Sequence, residues 1–261
     1  MQIKSGSTLS YQTKMLTTDL IINVYNKQEI PDQQKIMWEC IHAIYDRSDK
    51  YHLILIENGS TDDTFERLMD FKEDYGNCTI LHEDTHRGLC MGRNMGYVAS
   101  QHEHIIWMDP DVIVKTRHWN RILAEKFLEH EGLGIVAPLT NVTGLDQQRS
   151  DGKDLPREDV FVPRLIPGLV MCSSHSVVEE LREAEKDLAR EPCPGLFDIK
   201  YPAYGCDDYD WGDRLWLIKK KLLVVGSVFV YHYGGIGAKS LEGDKLVDAL
   251  RKATARYGHK F

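Results

Sequence analysis

The sequence lacks any apolar segment long enough to cross a membrane. Its longest apolar runs, at 53–56 and 222–225, have the length of strands, whereas a membrane-spanning helix needs roughly 20 residues. The first 18 residues are polar and contain no apolar stretch of the kind that forms the middle of a signal peptide. These absences predict a cytoplasmic protein that is soluble or at most attached to a membrane surface.

The sequence also lacks closely spaced cysteine pairs and an excess of positive charge. None of the six cysteines belongs to a C-x-x-C pair, and a scattered set in a chain of 261 residues is typical of reduced thiols. The net charge is -8, which provides no general attraction to a phosphate backbone. Bulk charge therefore does not imply a nucleic-acid partner, although a local basic groove would escape this argument.

The glycines at positions 88, 92 and 96 match neither the G-x-G-x-x-G dinucleotide fingerprint nor a phosphate-binding P-loop. Small residues at this spacing permit close packing of the backbone or close approach of a ligand. Arg93 lies among them, where it can pair with a phosphate, stack on a base or serve packing alone. The segment therefore has two open interpretations, one structural and one functional.

Short apolar segments alternate with amphipathic ones through the first half of the chain. This pattern predicts strands and helices that alternate, with strands at 19–24, 52–57, 78–82 and 105–108 and helices at 33–45, 62–71 and 93–100. Ser60 or Thr61 can cap the second helix. Such alternation is typical of an α/β domain with a mostly parallel central sheet flanked by helices. For the second half we predict a mobile loop at 144–156, strands at 166–171 and 222–231, and helices at 176–190, 208–217 and 241–257.

Three polar clusters follow strands of this predicted sheet: Tyr25-Asn26, Glu57-Asn58-Gly59 and Asp109-Pro110-Asp111. Ligands of parallel sheets bind outside the carboxyl ends of the strands, so the three clusters predict one site at one edge. Two carboxylates one residue apart can hold a hard cation while a diphosphate supplies further oxygen ligands. We therefore interpret Asp109 and Asp111 as metal ligands, and we expect Glu57 and Asn58 to hydrogen-bond a base or a ribose.

Two later segments add candidate residues. Asp207 and Asp208 stand at the start of a predicted helix, where a carboxylate can accept the proton of an acceptor hydroxyl. The alternative is an acidic helix terminus that only complements the helix dipole. His232 follows the last predicted strand, and a neutral imidazole binds manganese as well as softer ions. We interpret His232 as a third ligand of the cation held by Asp109 and Asp111.

Several segments together resemble the family 2 glycosyltransferases, which have the GT-A fold. The similarity extends from residue 19 to about residue 240 and rests on segments that occur in the family's order: I-I-N-V-Y-N (21–26), L-I-E-N-G-S-T-D-D-T (55–64), R-G-L-C-M-G-R-N-M-G (87–96), I-I-W-M-D-P-D-V (105–112), D-D-Y-D-W-G-D-R-L (207–215) and V-Y-H-Y-G-G (230–235). The family usually has proline where Asn23 stands, and glutamate is more usual where Asp207 stands.

The resemblance implies a metal-dependent transfer of a sugar from a nucleoside-diphosphate sugar to an acceptor hydroxyl, with inversion. It implies that the donor is a UDP-sugar, or else a GDP-sugar, and that Asp111 binds Mn²⁺ or Mg²⁺. Asp109 would contact the ribose and the metal shell, and His232 would reach the metal or the diphosphate. The nucleoside would be surrounded by Val24, Asn26, Glu57 and Asn58, with Arg93 nearby. Asp208 matches the catalytic base of inverting members, and the exchange at Asp207 leaves both aspartates as candidates.

The resemblance also implies the organisation of the chain. We expect a polar leader at 1–18, a GT-A domain at 19–240 and a helix packed on it at 241–261, with a nucleotide-sugar half at 19–115 and an acceptor half at 116–240. The acceptor can be a saccharide, a lipid head group, a protein or a modified nucleobase. An aromatic platform for it can come from Tyr204, Tyr209, Trp211 and Trp216. Rival interpretations are a retaining transferase, a sugar nucleotidyltransferase and a binding protein without activity.

Overall fold

The computed structural model describes residues 16–187, 196–199 and 207–234. The first part of the chain alternates strands with helices: β1 (Thr18–Val24), α1 (Pro31–Arg47), β2 (Tyr51–Asn58), α2 (Thr64–Tyr75), β3 (Cys78–Glu83), α3 (Leu89–Ala99) and β4 (His104–Met108). The remainder comprises β5 (Val112–Val114), α4 (Trp119–Glu129), β6 (Leu133–Thr140), a 3-10 turn (Asp146–Gln148), β7 (Val160–Val162), β8 (Val170–Ser174), α5 (His175–Asp187), α6 (Asp207–Leu217) and β9 (Lys221–His232).

The nine strands of the described residues form one sheet, in the order β3-β2-β1-β4-β8-β6-β9-β5, with β7 also paired to β9. The first four strands in that order are mutually parallel, as the alternation of strands and helices predicts. Beyond β4 the sheet is mixed, since β8 is antiparallel to β4 and to β6, while β5 and β7 are antiparallel to β9. The first four strands are therefore the purely parallel part of the sheet, while the rest combines antiparallel pairs with the parallel pair β6–β9. The expected α/β architecture with a mixed second half is confirmed.

Helices cover both faces of the sheet and bury one apolar cluster on each. One cluster contains Met37 of α1, Leu68 of α2 and Leu123 of α4. The other contains Tyr97 of α3, and Leu181 and Leu215 from the later helices. Burial of strands on both faces explains their continuous apolar runs, since neither face can carry a polar side chain without a partner.

Several predictions about local structure are wrong. The strand predicted at 166–171 begins only at Val170, and residues before it form a loop. Ser60 and Thr61 do not cap α2, because the helix begins only at Thr64, after Asp63. Their hydroxyls instead accept hydrogen bonds from the backbone N–H groups of Asn26 and Gln28. The segment 144–156 contains the 3-10 turn, where Gln148 is fully buried and donates to the carbonyl of Pro138. It is therefore tied to the domain, although we predicted a mobile loop.

No helix within the described ranges is long and apolar enough to span a membrane. Four cysteines lie in those ranges and all are buried free thiols: Cys40, Cys78, Cys90 and Cys172. The expected leader at 1–18, apart from its last three residues, and the predicted C-terminal helix at 241–257 lie outside the described residues.

Candidate active site

The end of β4 and the end of β9 meet at one edge of the sheet. Asp109 follows β4 directly, and its N–H donates to the carbonyl of Leu169 at 2.9 Å. The chain then turns into β5, whose Val112 is the register partner of His232 in antiparallel β9. This pairing brings Nε2 of His232 to 3.3 Å from Oδ1 of Asp111.

Asp109, Asp111 and His232 each direct one ligand atom into a space where these atoms lie within 4.8 Å of one another. Burial raises the pKa of Asp109 to about 6, and the charge of Asp111 adds to this although Arg93 opposes it. Burial alone would lower the pKa of His232, but its hydrogen bond to Asp111 and the two carboxylates raise it. Two crowded carboxylates and an imidazole are a donor set that suits a divalent cation such as Mn²⁺.

Arg93 connects this edge to the acidic start of α6. Its guanidinium is buried and donates from Nη1 to Asp207, from Nη2 to Asp109 at 3.0 Å, and from Nη2 to the carbonyl of Gly168 at 2.7 Å. Burial alone would lower the pKa of Arg93, but the two carboxylates raise it above its ordinary value, so the side chain stays charged. In this arrangement the arginine pairs with protein groups, and it holds Asp109 beside Asp207.

Asp208 lies next to that ion pair and is held by two backbone N–H groups. Its Oδ2 accepts from Gly168 at 3.0 Å and its Oδ1 accepts from Tyr209 at 2.9 Å. Burial raises the pKa of Asp208 to about 7, and the charge of Asp207 acts in the same direction. A carboxyl group with such a pKa can accept a proton near neutral pH more effectively than an ordinary aspartate.

The loop before β8 takes part in the site, and sequence reasoning missed it by assigning it to a strand. Gly168 accepts from Arg93 and donates to Asp208, while its neighbour Leu169 accepts from Asp109. A Cβ atom on Gly168 would lie 3.0 Å from Nη1 of Arg93, so glycine permits this close approach. The Pro167-Gly168 dipeptide is a turn signal that could have revealed the loop.

The residues expected to surround the nucleoside lie at the ends of β1 and β2, where their side chains bond to the protein itself. Asn26 donates to Thr64, and Glu57 accepts from Ser60 and contacts His82. The remaining polar member of the set, Asn58, donates to Asn23 and to the carbonyl of Gly88 and accepts from Arg87. Val24 is fully buried. These side chains hold the loops of the edge, and their contact with a nucleoside stays a prediction.

The glycines of α3 serve close packing. A Cβ atom on Gly92 would lie 2.2 Å from Oδ1 of Asn23, and one on Gly96 would lie 2.2 Å from a methyl group of Ile21. Since these contacts are with β1, the glycines allow α3 to approach the sheet and carry Arg93 to the site. Trp211 is also structural, being fully buried against Trp107, so it cannot belong to an exposed aromatic platform.

The family model for glycosyl transferase family 2 matches residues 19–160, which is more than half of the chain. The chain belongs to this family. It is also 35% identical over 92 residues to glycosyltransferase AglE of Haloferax volcanii and 28% identical over 97 residues to glycosyltransferase GlyG of Streptococcus pneumoniae serotype 4. These stretches cover 35% and 37% of this chain but only 29% and 30% of the two relatives. The chain thus matches less than a third of each curated relative.

Several solved structures share the fold of this chain, although their sequence identity to it is low. GalNAc-T7 with UDP, GalNAc and Mn²⁺ gives a TM-score of 0.64 at 17% identity, covering 85% of this chain and 44% of that one. The mannosyltransferase PcManGT from Pyrobaculum calidifontis, in complex with GDP-Man and Mn²⁺, gives 0.63 at 17% identity, covering 94% and 64%. TarS 1-349 of S. aureus with UDP-GlcNAc gives 0.59 at 12% identity, covering 92% and 66%. The expected GT-A fold is confirmed.

Proposed function

We propose that this protein transfers a sugar from a nucleoside-diphosphate sugar to an acceptor hydroxyl, with a divalent cation at Asp109, Asp111 and His232. The observation that supports the proposal is the Arg93 bridge, the pair of hydrogen bonds by which Arg93 joins Asp109 to Asp207, the neighbour of Asp208. Burial raises the pKa of Asp208 to about 7. The similar structures solved with UDP, UDP-GlcNAc or GDP-Man support a nucleotide-sugar donor. Two of them were solved with Mn²⁺, which supports the choice of cation.

Asp111 and His232, with Asp109, would hold the cation by a carboxylate- and imidazole-based donor set, and Mn²⁺ or Mg²⁺ suits it. When bound, a divalent cation supplies neutralising charge for the leaving diphosphate. The chain's own contribution is to fix these groups through the β5–β9 pairing and the Arg93 bridge. Preorganised groups of this kind lower a barrier because they need no rearrangement as charge develops.

Asp208 is the proposed general base. The acceptor oxygen attacks the anomeric carbon, its proton passes to a carboxylate oxygen of Asp208, and the bond to the diphosphate oxygen breaks with its electron pair leaving on that oxygen. Attack opposite the leaving group inverts the anomeric centre. Gly168 and Tyr209 orient the carboxylate by backbone hydrogen bonds, and Asp207 keeps its proton affinity high.

The test measures release of nucleoside diphosphate from a panel of UDP- and GDP-sugars, with Mn²⁺ and with EDTA. We expect release with one donor class in Mn²⁺ and loss of at least ten-fold in EDTA. Asp111→Asn should lose the Mn²⁺ response, whereas Asp146→Asn, a control at an exposed aspartate of the 3-10 turn, should retain it. Donor binding without release under any metal condition would instead indicate a binding protein.

A further inference from the structure

A second cluster of metal-ligating side chains lies at the opposite edge of the sheet. Asp19 is near the start of β1, where its parallel register partner in β2 is His52. His102 precedes β4. The Nδ1 atoms of both histidines lie 3.0 Å from the same carboxylate oxygen, Oδ1 of Asp19. The three ligand atoms lie within 4.8 Å of one another.

This cluster is separate from the donor site. The donor site follows the carboxyl end of β4 at Asp109, whereas His102 precedes the amino end of the same strand. With a rise of about 3.3 Å per residue, the strand His104–Met108 alone spans roughly 13 Å. A cation bound at one edge therefore cannot share ligands with a cation at the other.

The two oxygens of Asp19 have different partners. Oδ2 accepts the backbone N–H groups of Gln101 at 2.7 Å and His102 at 2.6 Å, while Oδ1 faces the two imidazoles. The residue is fully buried. Two backbone hydrogen bonds thus fix the orientation of the carboxyl group, and its Oδ1 faces the two histidines.

The second nitrogen of His52 also has a partner suited to metal binding. Nε2 lies 3.0 Å from Oγ1 of Thr79 in β3. An imidazole that binds a cation through Nδ1 carries its proton on Nε2, and Thr79 can accept that proton in a hydrogen bond. Such outer partners set the tautomer and the orientation of histidine ligands. The side chain of His102 is 37% exposed, so an ion can approach from solvent.

We propose that Asp19, His52 and His102 bind a divalent transition-metal ion, with Zn²⁺ the best match. Two imidazoles and one carboxylate favour zinc over the harder Mn²⁺ and Mg²⁺. In tetrahedral zinc, ligands about 2.0 Å from the ion lie roughly 3.3 Å apart, close to the 3.0 Å contacts here. A small outward rotation of the rings admits the ion, which then joins the amino ends of β1 and β2 to the turn before β4.

The test is calorimetric titration of Zn²⁺ into the metal-free full chain, with Asp111→Asn as background so that the donor site loses a ligand. We expect one Zn²⁺ per chain in this background and none after His52→Gln and His102→Gln are added. The matched control adds His42→Gln, at an exposed histidine of α1, and should keep the ion. Equal Zn²⁺ binding with and without the two cluster substitutions would overturn the proposal, as would no binding in the background.

A second, more conservative variant tests the proposal with less risk that the protein fails to fold. Thr79→Val preserves shape but removes the hydrogen-bond partner of Nε2, so we expect Zn²⁺ affinity to fall by about ten- to a hundred-fold. Zn²⁺ should also raise the thermal unfolding midpoint of the Asp111→Asn chain, and less so when Thr79→Val is added. An unchanged Kd and an unchanged midpoint shift in Thr79→Val would contradict the proposed ligation by His52 through Nδ1.

Discussion

Two parts of the candidate active site differ in how their polar side chains are paired. At the ends of β1 and β2, Asn26, Glu57 and Asn58 are buried and have protein partners for their side-chain atoms. At the ends of β4 and β9 and the start of α6, carboxylates crowd together, and the pKa values of Asp109 and Asp208 are raised. We call the first part the scaffold side, because its polar side chains have hydrogen-bond partners within the protein. We call the second part the charged side, because its neighbouring carboxylates favour binding of a cation or of a proton.

The largest effect should come from removing the proposed base on the charged side. Asp208→Asn keeps the size of the side chain but cannot accept the proton, so transfer should fall by about 10²–10⁴-fold. Donor binding, measured by calorimetry with Mn²⁺ and the active nucleotide-sugar, should change little. Asp213→Asn, a partly exposed aspartate in the same helix, is the control and should stay near the wild-type rate. A near-normal rate in Asp208→Asn would remove this residue as base.

The Arg93 bridge should matter nearly as much, but for stability as well as activity. Arg93→Met leaves Asp109 and Asp207 without their buried cation, and breaking a buried pair costs about 3–5 kcal/mol of unfolding free energy. Denaturant unfolding measures this loss. Arg164→Met breaks an exposed pair with Asp213 and a cation–π contact with Trp216, and should cost no more than about 2 kcal/mol. Equal losses of unfolding free energy in the two variants would show that the Arg93 ion pairs stabilise the fold no more than an exposed pair does.

The scaffold side should respond mainly in stability. Asn58→Ala removes its hydrogen bonds to Asn23 and to the Gly88 carbonyl and the one it accepts from the Arg87 N–H, and each such bond contributes about 0.5–1.5 kcal/mol to stability. Because these groups hold loops and are not proton carriers, kcat at saturating donor should fall by less than about ten-fold. Asn77→Ala serves as the control, because the side chain of this exposed asparagine donates one hydrogen bond, to the carbonyl of Tyr51. A loss of kcat comparable with that of Asp208→Asn would erase the distinction between scaffold and charged side.

The charged side should also set the pH dependence of the rate. With the pKa of Asp208 raised to about 7 by burial and by Asp207, the ionised fraction and kcat/KM should rise roughly ten-fold between about pH 6 and pH 8. A rate profile with the active donor at saturating Mn²⁺ measures this limb, which Asp213→Asn should retain. A flat profile across neutral pH would argue against a base with this pKa.

Stability as a function of pH in metal-free protein should respond to the same carboxyl group. The pKa of Asp208 is higher in the folded chain than its ordinary value of 3.8, so its contribution favours folding below that value and is lost as pH rises through about 7. Comparing chemical unfolding of the parent and Asp208→Asn across this window isolates the contribution. The parent should lose more stability than the variant, and parallel curves would contradict the raised pKa.

Local sequence patterns predicted the parallel half of the fold closely. The segment 52–57 became β2 with one residue added at each end, because a run of apolar residues buried on both faces marks a central strand. By contrast, β6 was missed, since Gly134 and Pro138 interrupt its apolar run. Helix α4 was missed as well, for it begins after His118 in a left-handed conformation without a side-chain cap. Both elements depend on neighbours that lie far away in the chain.

The amino-acid sequence by itself determined that Asp109 and Asp111 follow a buried strand, since polarity at the end of an apolar run is a local property. Only the tertiary structure decided what stands beside them. Pairing of β5 with β9 brings His232 next to Asp111. Pairing of β8 with β4 brings the loop that contains Gly168 next to Asp109. Arg93 then reaches across 114 positions to Asp207. Such contacts depend on how distant strands and helices pack, and no local preference encodes them.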